Sequence, residues 1–221
     1  MMNEYFNEPY DRFEKRYGGT VYVTVAGDDY QLGRAFRSIS AIRRRPGDSE
    51  IVFGIGTKGQ DVREEHIRRF LDSRHDFILF LDGDMLFPAM ALERLRSHRL
   101  PCVSGLYYRR SIQPIMPIWY EDDPAFQWPL MPFRQTPQAG RLYRLSATGF
   151  GCWLIHRDVL EAVDAMLCGE ALVWEDDMDV WPYDLRAVLD GREQLRPLRG
   201  RKDRVGADVR LGYFIRRAGF E

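Results

Sequence analysis

The sequence has few lysines and few cysteines, and the scarcity of cysteine excludes some kinds of stabilising site. Only three of its 32 basic residues are lysines, and the rest are arginines. The three cysteines, Cys102, Cys152 and Cys168, are odd in number and widely scattered, so they indicate neither a disulfide framework nor a zinc motif. The formal net charge of -1 excludes a strong overall field that would attract nucleic acid or an anionic membrane.

Long apolar runs are absent from the sequence as well. No stretch approaches the roughly 20 apolar residues of a membrane-spanning helix, and the first residues lack the basic and apolar pattern of a signal peptide. We therefore expect a cytoplasmic protein with no integral membrane segment and no nucleic-acid partner. At 221 residues, the chain is long enough for one α/β domain with a substantial core.

Strand-like and helix-like segments alternate three times in the first half of the chain. The β-rich runs at residues 20–26, 51–55 and 77–81 are each followed by apolar residues at helical spacing. This alternation predicts a parallel sheet with crossover helices. Residues 1–18 are interpreted as an N-terminal arm, and residues 19–221 as a single domain.

The second half of the chain follows a different pattern. Residues 111–140 are rich in proline and aromatic residues, which predicts a loop or a short antiparallel excursion over the sheet edge. Strands are predicted at residues 102–107, 141–147 and 152–156, and the apolar spacing after Val209 predicts a last helix. The expected fold class is α/β, with a single Rossmann-like mixed sheet that has helices on both faces.

The most informative segment is the acid–glycine–acid motif at Asp82, Gly83 and Asp84. The five apolar residues at 77–81 lead into it, which is typical of a strand buried on both faces. Ligands bind at the carboxyl ends of strands in open α/β sheets. Two carboxylates at ~4 Å repel by roughly 4 kcal/mol at an effective dielectric near 20, and a divalent cation reverses that sign. Because carboxylate oxygens suit Mg²⁺ or Mn²⁺, the motif predicts a metal–phosphate site.

Residues 77–88 resemble the DxD segment of family 2-like glycosyltransferases, which have the A-type nucleotide-diphosphosugar fold. Three further segments follow in the order found in that family. Residues 103–110 resemble the strand and loop after the DxD helix, residues 147–155 the glycine-containing strand, and residues 206–220 the late acidic motif with its helix. The order of the segments is more specific than any one of them.

The resemblance implies a metal-dependent, inverting enzyme that moves a sugar from a nucleotide-diphosphate sugar to an acceptor hydroxyl. Asp82 and Asp84 would hold Mn²⁺ or Mg²⁺ and the donor's diphosphate. Asp208 would be the general base on the acceptor hydroxyl, or else only a helix cap. Residues 19–108 would bind the nucleotide, and residues 109–221 would bind a carbohydrate, lipid or protein acceptor.

Two further residues are candidates for donor binding. Arg63 lies in the helix before the DxD strand, where the resemblance implies an arginine near the donor; otherwise it belongs to a solvated helix face. Asp28 follows the first strand, where it would meet the nucleotide base or ribose, or cap the next helix. The chain departs from the family pattern at Ala207, where a glutamate or serine is usual, and in having no histidine after His156.

Two other functions stay open at this point. A nucleotidyltransferase would use a similar sheet with similar acids, but its glycine-rich, basic loop is replaced here by Gly27, Asp28 and Asp29. A non-catalytic or degenerate module that binds a nucleotide or sugar agrees with Ala207 and with the missing histidine. Nucleotide binding and sugar transfer, measured together, would separate these functions.

Overall fold

The protein has a mixed α/β fold in which helices flank a five-stranded sheet. A second sheet of three short strands lies in the later part of the chain. The architecture comes from a computed structural model that describes residues 17–27, 33–55, 59–108, 117–122, 130–133, 135–168, 172 and 207–220.

The strands and helices follow in chain order along the described residues. The strands are β1 (Val21–Gly27), β2 (Val52–Ile55), β3 (Phe77–Asp82), β4 (Cys102–Ser104), β5 (Trp119–Asp122), β6 (Leu130–Pro132), β7 (Ala147–Thr148) and β8 (Cys152–His156). The helices are α1 (Gly33–Ser40), α2 (Gly59–Asp72), α3 (Ala91–Ser97), α4 (Arg157–Leu167) and α5 (Ala207–Arg217). None of these helices is long and apolar enough to cross a membrane.

The larger sheet has the strand order β2-β1-β3-β8-β4 and is mixed, as expected for the fold class. Strand β1 pairs in parallel with β2 and with β3, which confirms the parallel arrangement predicted for the first three strands. Strand β8 runs antiparallel to both β3 and β4 and lies between them. A late segment of the chain therefore contacts the strand that carries the DxD motif.

The predicted strands 102–107 and 141–147 are wrong in their extent. Strand β4 ends at Ser104, which is its last residue paired with β8. Gly105 donates a final backbone hydrogen bond to the carbonyl of Cys152. Strand β7 contains only Ala147 and Thr148, since these are the residues that pair with β5. The shortened strands leave room for the loops that surround the carboxyl end of β3.

The smaller sheet is the antiparallel excursion that the proline-rich segment predicted. Its strand order is β6-β5-β7, and both pairs are antiparallel. The hydroxyl of Thr148, in β7, lies 2.9 Å from that of Ser104, in β4, and also donates to the backbone carbonyl of Ile118. These bonds connect the smaller sheet to the edge of the larger one.

The core consists of two apolar layers, one on each face of the larger sheet. On one face, the side chains of Phe77, Leu79 and Leu81 pack with α1 and α3. On the other face, Ile78 and Phe80 pack with α2, α4 and α5. Because strand side chains alternate between faces, the unbroken apolar run of β3 contributes to both layers at once.

A buried ion pair stabilises the amino-terminal end of the larger sheet. The side chain of Asp48 is fully buried and accepts hydrogen bonds from the backbone N–H groups of Val21 and Arg45 and from Arg96, at 2.9, 2.7 and 2.6 Å. Glu93 lies 3.8 Å from the Arg96 guanidinium and also pairs with Arg45. The buried carboxylate therefore connects β1, the turn before β2, and α3.

Helix α2 approaches the sheet closely at Gly54. A Cβ there would lie 2.3 Å from the Val62 side chain and 2.4 Å from Nε2 of His66, so only glycine fits. His66 is consequently buried. Burial lowers the pKa of His66, and the positive charge of Arg69 lowers it further.

Replacing Asp48 with alanine should lower the free energy of unfolding by about 3–5 kcal/mol, because the buried Arg96 would lose its hydrogen-bonded carboxylate at 2.6 Å and keep only Glu93, at 3.8 Å. Urea unfolding followed by circular dichroism measures the loss. Glu50→Ala is the matched control, since Glu50 pairs with Arg44 while 92% exposed and should cost far less. Equal losses in the two variants would contradict the importance of the buried pair.

His66 should make the fold less stable in mildly acidic solution. Its folded-state pKa lies below the unfolded value of about 6.5, so the unfolded state takes up the proton first as the pH falls. The free energy of unfolding should therefore decrease below about pH 6.5 and keep its full value above it. Urea unfolding from about pH 7.5 to about pH 5 should show a smaller decrease in His66→Leu than in the wild type.

The half-buried His75 offers the control for this comparison. The variant His75→Leu should keep the part of the decrease that His66 causes. An unchanged pH dependence in His66→Leu would show that this histidine is not its source.

Candidate functional site

The candidate site begins at Asp82, the last residue of β3. Side chains alternate between the two faces of a strand, so Ile78, Phe80 and Asp82 lie on the same face. The side chain of Asp82 therefore faces the layer that contains α2. Its backbone N–H donates to the carbonyl of Gly151 at 3.2 Å, and it is in register with Ala26 of β1. The half-buried carboxylate therefore lies at the carboxyl edge of the sheet, as the DxD motif predicted.

Arg63 is the positively charged partner of Asp82. Its Nη2 donates to Oδ1 of Asp82 at 2.7 Å, and both side chains are largely buried, with 20% and 30% exposed. The guanidinium also lies 4.7 Å from the ring centroid of Phe150, in a cation–π arrangement. The solvated helix face considered for Arg63 is therefore wrong, because the side chain points into the site.

The other two acids of the predicted donor site are Asp84 and Asp28. Asp84 is exposed, in a turn that Met85 N–H closes on the carbonyl of Asp82 at 3.3 Å. Gly83 N–H donates to the carbonyl of Ala26 at 2.9 Å, so the turn remains attached to β1. Asp28 lies outside the described residues.

Asp208 reaches the same region from the far end of the chain. It lies in the first turn of α5, and its Oδ1 accepts the N–H of Val209 at 2.8 Å. Helix α5 packs closely on β7, since a Cβ at Gly212 would lie 2.8 Å from the Cβ of Ala147. This contact holds the middle of α5 against β7, and Asp208 lies one turn before it.

The charges of Asp82 and Arg63 act on the Asp208 carboxyl group. The residue is half-buried, and burial of its carboxyl group raises its pKa; the negative charge of Asp82 raises it as well. The positive charge of Arg63 acts in the opposite direction. Two carboxylates and one guanidinium therefore interact within one partly enclosed space, and the carboxylate of Asp208 is more basic than an ordinary aspartate.

Tyr107 lies next to these residues, and sequence analysis assigned it no role. Its hydroxyl accepts a hydrogen bond from the N–H of Gly151 at 3.0 Å. A Cβ at Gly149 would lie 2.1 Å from this hydroxyl and 3.0 Å from Oδ2 of Asp208, and a Cβ at Gly151 would lie 2.7 Å from the ring. The glycines at positions 149 and 151 therefore leave space for the Tyr107 side chain. This pair of glycines is the feature of the sequence that points to a close contact here.

The carboxylates suit a divalent cation that arrives together with a phosphorylated ligand. Within the part of the chain that the structure describes, no group of three or more His, Cys, Asp or Glu side chains is arranged to hold a metal. Asp82 and Asp84 supply two carboxylates, and Mg²⁺ is usually bound by one or two carboxylates together with substrate phosphates and water. The site therefore fits a cation whose remaining ligands come from the substrate.

Comparison with known proteins does not assign the chain to a family. No protein-family model matches the chain, and no curated protein matches it. Among solved structures, the chain is similar to the crystal structure of A197 from STIV, with 19% sequence identity and a TM-score of 0.40. The alignment covers 64% of this chain and 66% of A197, just under two thirds of its length. A likeness of this size does not identify a function.

Replacing Gly149 with alanine should destabilise the protein by about 1–3 kcal/mol, because the added methyl group overlaps the Tyr107 hydroxyl and crowds Asp208. Urea unfolding measures the change. The control is Gly33→Ala in the first turn of α1, where a Cβ meets no atom within 4 Å. If Gly149→Ala is as stable as Gly33→Ala, Tyr107 does not occupy the space next to the glycine.

Proposed function

We propose that the protein is a metal-dependent, inverting glycosyltransferase that moves a sugar from a nucleotide-diphosphate sugar to an acceptor hydroxyl. The observation that carries the proposal is that Asp82 and Asp208 lie beside one turn, although they are far apart in the sequence. Gly151 accepts the N–H of Asp82 at 3.2 Å, and a Cβ at Gly149 would lie 3.0 Å from Oδ2 of Asp208. The transfer needs a base for the acceptor and a positive environment for the diphosphate, and this site contains groups suited to both.

Asp208 is the proposed general base. It takes the proton from the acceptor hydroxyl as the hydroxyl oxygen forms a bond to the anomeric carbon of the sugar. The bond between that carbon and the phosphate oxygen then breaks, and the nucleoside diphosphate leaves with the electron pair. The raised pKa of Asp208 supports this role, because a more basic carboxylate accepts a proton more readily.

Arg63, Asp82 and Asp84 form the proposed donor side. Arg63 is half-buried and its charge lies beside Asp82, so it is suited to hold an oxygen of the diphosphate. Asp82 and Asp84 would hold Mg²⁺ or Mn²⁺, which when bound neutralises charge on the leaving diphosphate. Phe150, beneath the guanidinium, keeps Arg63 aimed at the site.

A non-catalytic binding module is the second candidate, and one observation favours it. Oδ1 of Asp82 already accepts a charged hydrogen bond from Arg63, so part of its charge is balanced without a metal. A module that only binds a nucleotide needs no metal at Asp82 and no general base. Turnover of the donor therefore separates the two functions.

The test combines ligand binding with turnover. We expect UDP or GDP to raise the melting temperature of the wild type in the presence of Mn²⁺, and Asp82→Asn to lose this shift, because binding to the folded state alone stabilises it. Asp208→Asn should keep the shift but lower nucleoside diphosphate release from the matching sugar donor by roughly 10²–10⁴-fold, as expected for loss of a general base. Asp72→Asn, at the exposed end of α2, is the control for both measurements.

Each result has a defined meaning. Absence of any nucleotide-dependent shift in folded wild type would rule out the donor site. A shift without release of nucleoside diphosphate from any sugar donor would favour the binding module. Equal turnover in Asp208→Asn and the wild type would remove Asp208 from the mechanism.

A further inference from the structure

The hydroxyl of Tyr107 has an unusual position for a residue of the core. The residue is buried, and its ring packs in the layer on the α1 and α3 side of the sheet. Yet its hydroxyl and Oδ2 of Asp208 both lie within 3.0 Å of the point where a Cβ of Gly149 would stand. The hydroxyl therefore lies at the turn of Gly149 to Gly151, beside the carboxylate of Asp208, and Gly151 in turn accepts the N–H of Asp82.

The hydrogen atom of this hydroxyl has no acceptor. A phenol offers one O–H donor and accepts through its lone pairs. The N–H of Gly151 uses the acceptor side, at 3.0 Å. Within the described part of the chain, no oxygen or nitrogen atom takes the hydroxyl's own hydrogen. A buried donor that is left unused is costly, and this one lies beside the carboxylate of Asp208.

A second unused donor lies on the other side of Asp82. The Nε atom of Arg63 is buried and has no hydrogen-bond partner among the described residues, while Nη2 of the same side chain pairs with Asp82. Tyr107 and Arg63 belong to the layers on opposite faces of the sheet, and Asp82 lies at its edge between them. A diphosphate has several acceptor oxygens, so one molecule can contact the Tyr107 hydroxyl and the guanidinium of Arg63 together.

Packing of the ring alone does not account for these features. If only the ring of Tyr107 mattered, phenylalanine would fill the same core space without a buried hydroxyl. The hydroxyl oxygen is also the atom nearest to the absent Cβ of Gly149, at 2.1 Å, whereas Oδ2 of Asp208 and Cγ2 of Ile118 are next, both at 3.0 Å. The hydroxyl accepts the N–H of Gly151, and its own hydrogen is left for another partner.

We propose that Tyr107 contacts the substrate, with its hydroxyl donating a hydrogen bond to a diphosphate oxygen in the gap between Asp82 and Asp208. This inference rests on the proposed function and adds a binding residue to it. As the sugar leaves the diphosphate, negative charge grows on the phosphate oxygens, and a fixed donor there stabilises that charge. Tyr107 therefore supports both donor binding and departure of the nucleoside diphosphate.

The test is the variant Tyr107→Phe, which removes one oxygen atom and keeps the ring. Isothermal titration with Mg²⁺ and either UDP or GDP, whichever the wild type binds, should show a roughly ten- to hundred-fold weaker affinity for the variant, as for loss of a hydrogen bond to a charged group. The control is Tyr108→Phe, at an exposed neighbour, whose affinity should not change. A structural role alone would lower stability without this selective loss of affinity.

A second measurement keeps the hydroxyl and covers the case in which Tyr107→Phe does not fold. Incorporation of 3-fluorotyrosine at position 107 places a fluorine nucleus beside the hydroxyl. Its resonance should shift when Mg²⁺ and the nucleoside diphosphate are added, whereas 3-fluorotyrosine at position 108 should show no comparable shift. An unshifted resonance at position 107 under saturating ligand would overturn the inference.

The failures of the two proposals are distinguishable. A wild type that binds neither nucleoside diphosphate in the presence of Mg²⁺ or Mn²⁺ overturns both of them. A wild type that binds one of them, together with an equal affinity in Tyr107→Phe, overturns the role of Tyr107 and leaves the donor site in place. Selective weakening in Tyr107→Phe, with Tyr108→Phe unchanged, supports both.

Discussion

The alternation of side chains along β3 is the constraint on which the candidate site depends. The strand is buried on both faces, so each residue from Phe77 onward must belong to one apolar layer or the other. This alternation turns Asp82 toward α2, where Arg63 meets it. Pairing with β8 then brings Gly151 to the backbone of Asp82, so the loop before β8 lies against the acid.

The charges of the site act on one another. The negative charge of Asp82 raises the pKa of Asp208, and the positive charge of Arg63, which packs on Phe150, acts in the opposite direction. Charges that act on one another in this way are common at sites that bind charged molecules. In the proposed function, a cation at the exposed edge and a polyanion beside Arg63 would bind together, because each would offset charge of the other.

Hydrophobic spacing along single segments predicted the first part of the fold, but not the pairing between distant segments. The first three strands, their helices and the acids at the end of β3 follow from hydrophobic period and from the position of Asp82 after a buried run. The insertion of β8 between β3 and β4 did not follow, because a short apolar strand pairs equally well with several neighbours. The predicted extents of the strands near residues 105 and 145 failed for the same reason, since pairing partners decide where a strand ends.

The candidate residues show the same division. Asp82 was predicted from its place after a buried apolar run, and Arg63 and Asp208 from a resemblance. Their positions relative to one another depend on how α2 and α5 pack, which no local pattern encodes. Tyr107 received no role because a tyrosine after a short strand is ordinary core material. Its importance becomes visible only when Gly149 and its neighbours are seen to leave space for it.

The space that Gly149 leaves for a hydroxyl links two positions that are distant in the sequence. A relative of this protein with a larger residue at position 149 would have to lose the hydroxyl of residue 107 or move its ring. A Cβ at position 149 and that hydroxyl would otherwise overlap. The two positions should therefore change together during divergence. A homologue with alanine and phenylalanine at these places would keep the core, and it would have exchanged a polar contact at the site for tighter packing.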